Sequence, residues 1–256
     1  MSLVTEARLS SATPAIVIDG VSKRYATGAV ALDDVHLEVR RGELLAIVGA
    51  SGCGKSTLLN LIAGLDSPTS GRLSVPGGRP TLLFQEAALL PWHTAAGNVE
   101  LALRLRGVGR AERRARAAEL LEVVHLGGMG ERRPHELSGG MRQRVALARA
   151  LAQEPDILLM DEPFGALDAM TRDLLHDELE RIWSETGVTI VFVTHNVREA
   201  ARLGDRIVLL TSRPGRVAAE FPVDIDRPRR IESPAVSRLA TEVTAALRLE
   251  VARHGR

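Results

Sequence analysis

Two stretches of the chain carry residue types that can hold phosphate. "GASGCGKST", residues 49 to 57, fits the spacing G-x-x-x-x-G-K-[ST], with an apolar run before it and a helical pattern after it. Glycines at this spacing let the backbone curl, so that successive amides of Gly49, Ala50, Ser51, Gly52, Cys53 and Gly54 face a β-phosphate. The helix starting at Lys55 adds the positive end of its dipole. Lys55 supplies a mobile positive charge for the β- and γ-phosphates, Ser56 closes the motif and can give its oxygen to Mg²⁺, and Thr57 follows it at the same site. Ninety residues downstream, "HELSGGMRQRVALARAL" (135 to 151) sets Ser138, Gly139 and Gly140 directly before another helix. That start also suits an anion, although a serine acting only as an N-cap explains it too.

Acids and bases follow the other apolar runs. "DILLMDEP" puts Asp161 and Glu162 at a strand end, where Asp161 can hold Mg²⁺, usually through water, and Glu162 can polarise water for attack on a γ-phosphate. Two carboxylates there could instead cap a helix or sit in solvent. Gln85 follows "TLLF" and His195 follows "VTIVFV"; Gln85 could reach the metal or the water, and His195 the γ-phosphate. Singly, either residue is as readily structural. The other six histidines show no metal-ligand spacing. Cys53 reads first as a small tolerated side chain, with a second reading as a reactive thiol favoured by the loop amides and Lys55.

The elements that position these residues are short runs, apolar on both faces: 44 to 48, 81 to 84, 156 to 160 and 188 to 193. Such runs predict buried parallel strands with their polar residues at the carboxyl ends, where open α/β sheets bind ligands. Between them lie helical patterns, among them "KSTLLNLIAG", "RAERRARAAELLEVV" and "AMTRDLLHDELERIWSE". The start of the chain and the stretch "RIVLLTSRPGRVAAEFPV" read as antiparallel. The expected fold is α/β: a P-loop NTPase core with a mostly parallel sheet, an antiparallel β subdomain and an inserted helical subdomain. One domain is expected over 15–250, with core 15–85 and 152–225, the insertion at about 86–151 and a last amphipathic helix at about 234–252.

Composition narrows the function classes. The chain has 256 residues, 45% apolar content and a net charge of +1, so no broad attraction to nucleic acid or anionic membrane is expected. One cysteine excludes an intramolecular disulfide framework and a CxxC zinc site. A reducing compartment is expected, with no leader and no run near the ~18 apolar residues of a membrane span. Only two residues are lysine, Lys23 and Lys55, against 31 arginines.

Taken in order, the phosphate loop, "FQE", "LSGGMRQR", "LLMDEP", "GALD" and "VTHN" resemble the ATP-binding subunits of ATP-binding cassette transporters over nearly the whole chain. The resemblance implies that Tyr25 stacks on adenine, Gln85 senses between metal and transporter, and Ser138 to Gly140 form the signature segment. It further implies that Glu162 is the catalytic carboxylate, that Ala166 to Asp168 join the dimer contact, and that His195 is the γ-phosphate switch. Two copies would pair head to tail, each signature closing over the partner's ATP. Met141 stands where the family commonly has Gln.

"EAALLPWHTAAGNV", "FGALDAMTRDLL" and "RPGRV" look most like importers of nitrate, aliphatic sulfonates and taurine. This implies permease subunits in the membrane, a solute-binding protein and a peripheral place on the cytoplasmic side. The roughly 30 residues after Ile225 are too few for an appended regulatory domain. "LLPW", Leu89 to Trp92, reads either as core packing or as an apolar groove for the permease. The rival classes are a non-transport cassette ATPase of DNA repair or translation, and a small-molecule kinase. The first normally brings coiled coils, zinc cysteines or a second cassette; the second leaves "LSGGMRQR" and His195 unexplained.

Overall fold

The computed structural model describes residues 14–254. Its centre is a six-stranded sheet in the order β5 (Pro80–Leu83), β6 (Ile157–Asp161), β7 (Thr189–Thr194), β3 (Leu44–Val48), β8 (Arg206–Leu210), β9 (Val217–Pro222). The first five run parallel and β9 pairs antiparallel to β8. All residues of β3 and β7 are buried, because the sheet is covered on both faces. Leu45 and Ile47 face one apolar cluster, while Leu44, Ala46 and Val48 face the other.

The first face carries α1 (Lys55–Ile62) and an antiparallel sheet ordered β2 (Val30–Arg40), β1 (Pro14–Arg24), β4 (Ser70–Ser74). Strand β4 escaped the sequence reading. Its residues, "SGRLS", are almost all exposed and give no alternation to recognise. On the other face lie α2 (Ala95–Leu105), α3 (Arg110–Val123), α4 (Gly139–Leu151), α5 (Ala169–Thr186), α6 (Val197–Leu203) and α7 (Pro234–His254). Helix α7 buries Val236, Ala240 and Val243, with Leu239 and Leu247 packed beside them.

Strand register decides where the chemistry collects. Val48 pairs with Thr194, Val193 with Asp161, and Met160 with Leu83. The residues that follow these positions, Gly49, His195, Glu162 and Gln85, therefore leave the sheet at one edge. Where the chain turns from β3 into α1, Gly54 has φ 97, and a Cβ there would lie 2.6 Å from the Ala31 carbonyl oxygen of β2. Only glycine fits both the dihedral and the space.

Replacing Gly54 with Ala is expected to lower the unfolding free energy by about 1–3 kcal/mol, from backbone strain and the contact with β2. A urea titration measures it. An unchanged midpoint would show that the turn accepts a side chain.

Candidate functional site

The phosphate loop holds a nearly buried ammonium. Lys55 is only 7% exposed, and its Nζ donates to the carbonyl oxygens of Gly49 (2.9 Å) and Ala50 (3.0 Å). Among the described residues no carboxylate lies within ion-pair distance of it. An ammonium held by neutral acceptors rather than by a carboxylate keeps its charge available for an anion. Helix α1 begins at the same place, and its Gly54 cap supplies no side-chain bond to the first amides. Free amides and a free positive charge thus point into one loop, the donor set a polyphosphate requires.

Cys53 is 1% exposed and packs in the apolar cluster under the loop, with Sγ 3.8 Å from Lys55 Nζ. Burial corrects the reading of a reactive thiol, because a nucleophile must first be reached. Beside the loop, the Tyr25 hydroxyl lies 3.2 Å from Thr57 Oγ1 and the residue is 40% exposed.

The two acids differ in environment. Asp161 is half-buried, and burial raises its carboxyl above the ordinary range; the Ser56 hydroxyl and Lys55 charge pull it back, while Glu162 adds to the rise. A carboxylate that desolvation strains in this way is suited to a cation. Glu162 has φ 46, a left-handed conformation unusual for a non-glycine residue, and is held by Glu162 N–H donating to the Val193 carbonyl at 3.0 Å. Its Oε2 receives Gln85 Nε2 at 3.4 Å and lies 3.2 Å from Nδ1 of the exposed His195. Three residues from three strand ends, far apart in sequence, therefore meet at one oxygen.

Ser138 caps α4 by accepting from the Met141 amide at 3.2 Å, so the capping role is present in the structure. Its side chain remains exposed, as does Gly139. At Gly140 a Cβ would come within 2.9 Å of Leu167 Cδ2, so glycine lets the start of α4 approach Ala166–Asp168. Among the described residues no hydrogen bond joins Ser138–Gly140 to the phosphate loop. Met141 is half-buried against the core, apolar packing in place of a glutamine's hydrogen bonds.

Helix α4 is tied to the segment after β5. The Gln143 amide donates to the Phe84 carbonyl at 3.2 Å, and the Arg149 guanidinium to the carbonyls of Ala87 (3.0 Å) and Ala88 (2.8 Å). Asn98, fully buried, bonds both backbone groups of Leu90. The turn so fixed leaves Leu89 against the core and Trp92 68% exposed. Core packing is therefore corrected for Trp92, which sits in the turn closed by His93 N–H donating to the Leu90 carbonyl at 3.1 Å and stays outside.

Sequence reasoning missed a buried link between two of its own motifs. Arg172 donates to the Leu167 carbonyl at 2.8 Å and pairs with Glu199 at 3.4 Å; Glu199 in turn accepts from Thr194 Oγ1 at 2.8 Å, next to His195. Burial raises the Glu199 carboxyl, opposed by that hydroxyl and Arg172. Charged residues on helices usually read as solvated, so nothing in the pattern marked this pair. His176 on α5 is likewise fully buried, edge-on to Phe164 with ring centroids 4.4 Å apart, behind the Glu162 turn. Desolvation, then the charges of Arg202 and Arg172, lower it from 6.5 to about 3.

With this geometry in place, comparison decides the family. The family model described as ABC transporter matches residues 32–165, just over half of the chain. The chain belongs to the ABC transporter family. It is an ABC-type transport ATPase. It is similar to the taurine import ATP-binding protein TauB of Burkholderia thailandensis, 48% identical over 217 residues, covering 81% of this chain and 84% of that protein. It is also similar to the aliphatic sulfonates import ATP-binding protein SsuB of Burkholderia ambifaria, 49% identical over 251 residues, covering 94% of this chain and 76% of that protein. Among solved structures, the dimeric post-hydrolysis state of the ATP-binding cassette MJ0796, bound to ADP and Pi, matches with TM-score 0.77 and 36% identity, covering 82% of this chain and 100% of that one. No described helix is long and apolar enough to cross a membrane.

Two outcomes follow for this ABC ATPase. Cys53 is expected to resist alkylation in the folded chain, with or without nucleotide, and to label fully in urea; mass spectrometry reads the difference, and rapid native labelling would contradict the burial. A lowered histidine pKa means stability present above about 6.5 and lost as pH falls towards 3, because the unfolded chain takes up the proton first. His176 should therefore cost the protein about 2–3 kcal/mol between pH 7 and 4.5. In His176→Leu, urea midpoints should fall less over that range; an equal fall in both proteins would refute it.

Proposed function

We propose that the chain is the ATP-hydrolysing subunit of an importer for taurine and similar small sulfonates, and that it works as a head-to-tail pair. The observation that carries the pairing is lateral distance. Strands β7 and β6 separate β3, which bears the phosphate loop, from β5, against which α4 is tied. Three strand spacings amount to about 14 Å. Ser138–Gly140 stand apart from their own chain's loop, with Ser138 and Gly139 exposed and Gly140 half-buried beside Ala166–Asp168. A second copy, inverted, brings one chain's signature over the other's loop.

Within such a site Gly49 to Thr57 cradle the phosphates of ATP, and Tyr25 stacks on its base. Glu162, oriented by Gln85 and His195, takes the proton from the attacking water, and His195 follows the γ-phosphate. Ser56, Gln85 and Asp161 would hold Mg²⁺, whose chemistry is to neutralise charge developing on the phosphate oxygens. The exposed Trp92 and half-buried Leu89 form a docking edge for permease subunits at the cytoplasmic face of the membrane, and a solute-binding protein delivers the sulfonate to those subunits from the opposite side. The names of the taurine and aliphatic sulfonate relatives support the solute class.

Glu162→Gln is expected to keep ATP binding and lower turnover by about 100-fold or more, as loss of a general base does. The pairing is tested on that background with a differently tagged heterodimer of a Lys55→Ala chain and a Ser138→Arg chain. Loops and signatures that meet between chains put both lesions into one site and leave the other whole. Retention of about one ATP per mixed dimer, with little in either homodimer, is the expected result. No retention in a verified heterodimer would sink the shared site.

A further inference from the structure

Lys23 lies near the end of β1 and Tyr25 directly follows that strand, two residues on. Lys23 is the other of the chain's two lysines. Its Nζ lies 5.3 Å from the Tyr25 ring centroid, over the ring, within reach of a cation–π interaction. The ammonium is fixed there from the far side. It donates to Asp66 Oδ1 at 2.5 Å and to the Ser67 carbonyl at 2.9 Å, and the side chain is 12% exposed. Asp66 is itself braced by the Ser67 amide at 2.7 Å, and Lys23 and that amide hold its carboxyl below the usual range.

Tyr25 is thereby fixed at three points. Its backbone closes a turn, with Tyr25 N–H donating to Ala29 O and Gly28 N–H donating to Tyr25 O, both at 2.9 Å. The phenol oxygen meets Thr57 at the phosphate-loop helix, and Lys23 backs one ring face. The Tyr25 residue remains exposed, and Lys23 takes up one face of its ring.

We propose that Lys23 is a positioning residue for nucleotide base recognition: braced by Asp66 and Ser67, it backs Tyr25 so that the ring's other face stands ready to stack on adenine. This rests on the assignment of Tyr25 to the base. A ring already held in its bound orientation loses less freedom on binding than a free one. Lys23 touches no phosphate in this account, which separates it from Lys55.

The test compares Mg-ATP with Mg-tripolyphosphate, which has phosphates and no base, by equilibrium binding to the full chain carrying Glu162→Gln. Lys23→Met is expected to weaken Mg-ATP by about 3- to 10-fold while tripolyphosphate stays within about twofold. Lys23→Arg, which keeps the cation, should restore ATP affinity to within about twofold. Tyr25→Ala is the reference and should lose more ATP affinity than Lys23→Met, again sparing tripolyphosphate. If Tyr25→Ala weakens ATP and Lys23→Met does not, the role of Lys23 is refuted and that of Tyr25 stands. If Tyr25→Ala leaves ATP untouched, base stacking itself is wrong and the proposal falls with it. Equal loss of both ligands in Lys23→Met would assign Lys23 to local folding and overturn the proposal.

Discussion

A buried ammonium with no ion-pair partner among the described residues is the constraint on which the rest of this structure depends. Taking a charge out of water is costly unless polar groups replace the lost solvent. Here the replacements are the carbonyls of Gly49 and Ala50, at 2.9 and 3.0 Å from Lys55 Nζ. Those carbonyls point inward only because the loop curls back over the start of α1. The curl needs Gly54 at φ 97 against the Ala31 carbonyl. It also needs a small side chain at Cys53, beneath the lysine. The fully buried β3 fixes where the loop starts, so the charge is delivered to the sheet edge at a set depth.

Around that charge the edge is organised by one oxygen. Glu162 Oε2 gathers Gln85 from the end of β5 and His195 from the end of β7. Each of these reporters is attached to something further away. The segment after Gln85 is bonded to α4 through Gln143 and Arg149, and α4 begins at Ser138–Gly140. His195 follows Thr194, which reaches the Leu167 carbonyl through Glu199 and Arg172. Both routes run through hydrogen bonds and ion pairs between rigid elements. Ala166–Asp168 and α4 are therefore each joined to the Glu162 carboxylate by a contiguous network of the kind through which distant groups can be coupled.

The buried polar groups along these routes are a liability for stability. Desolvation raises the Asp161 and Glu199 carboxyls and lowers His176, so burial disfavours the charged form of each. Such groups persist where the surrounding packing over-determines them. The left-handed φ of Glu162 belongs to the same pattern of strain kept at a functional turn.

By itself the sequence determined the loop, the strands that precede the polar residues and the family. Those signals are local: glycine spacing before Lys55, both-face apolar runs such as Leu44–Val48, and ordered motifs from Gly49 to His195. Each depends on backbone geometry within a few residues or on a buried sheet, and both leave a pattern in the chain. Strand β4 left none, since its exposed residues pair through backbone groups that any side chain permits. Only the tertiary structure decided that Trp92 faces out while Leu89 packs inward, because that depends on Asn98 bonding Leu90 from the next helix. It alone brought Arg172 to Glu199 and Lys23 to Tyr25's ring, and put Cys53 out of reach. A charged or aromatic residue looks the same in sequence whether solvent or a partner surrounds it; the difference is made by elements that meet only when the sheet and its helices close.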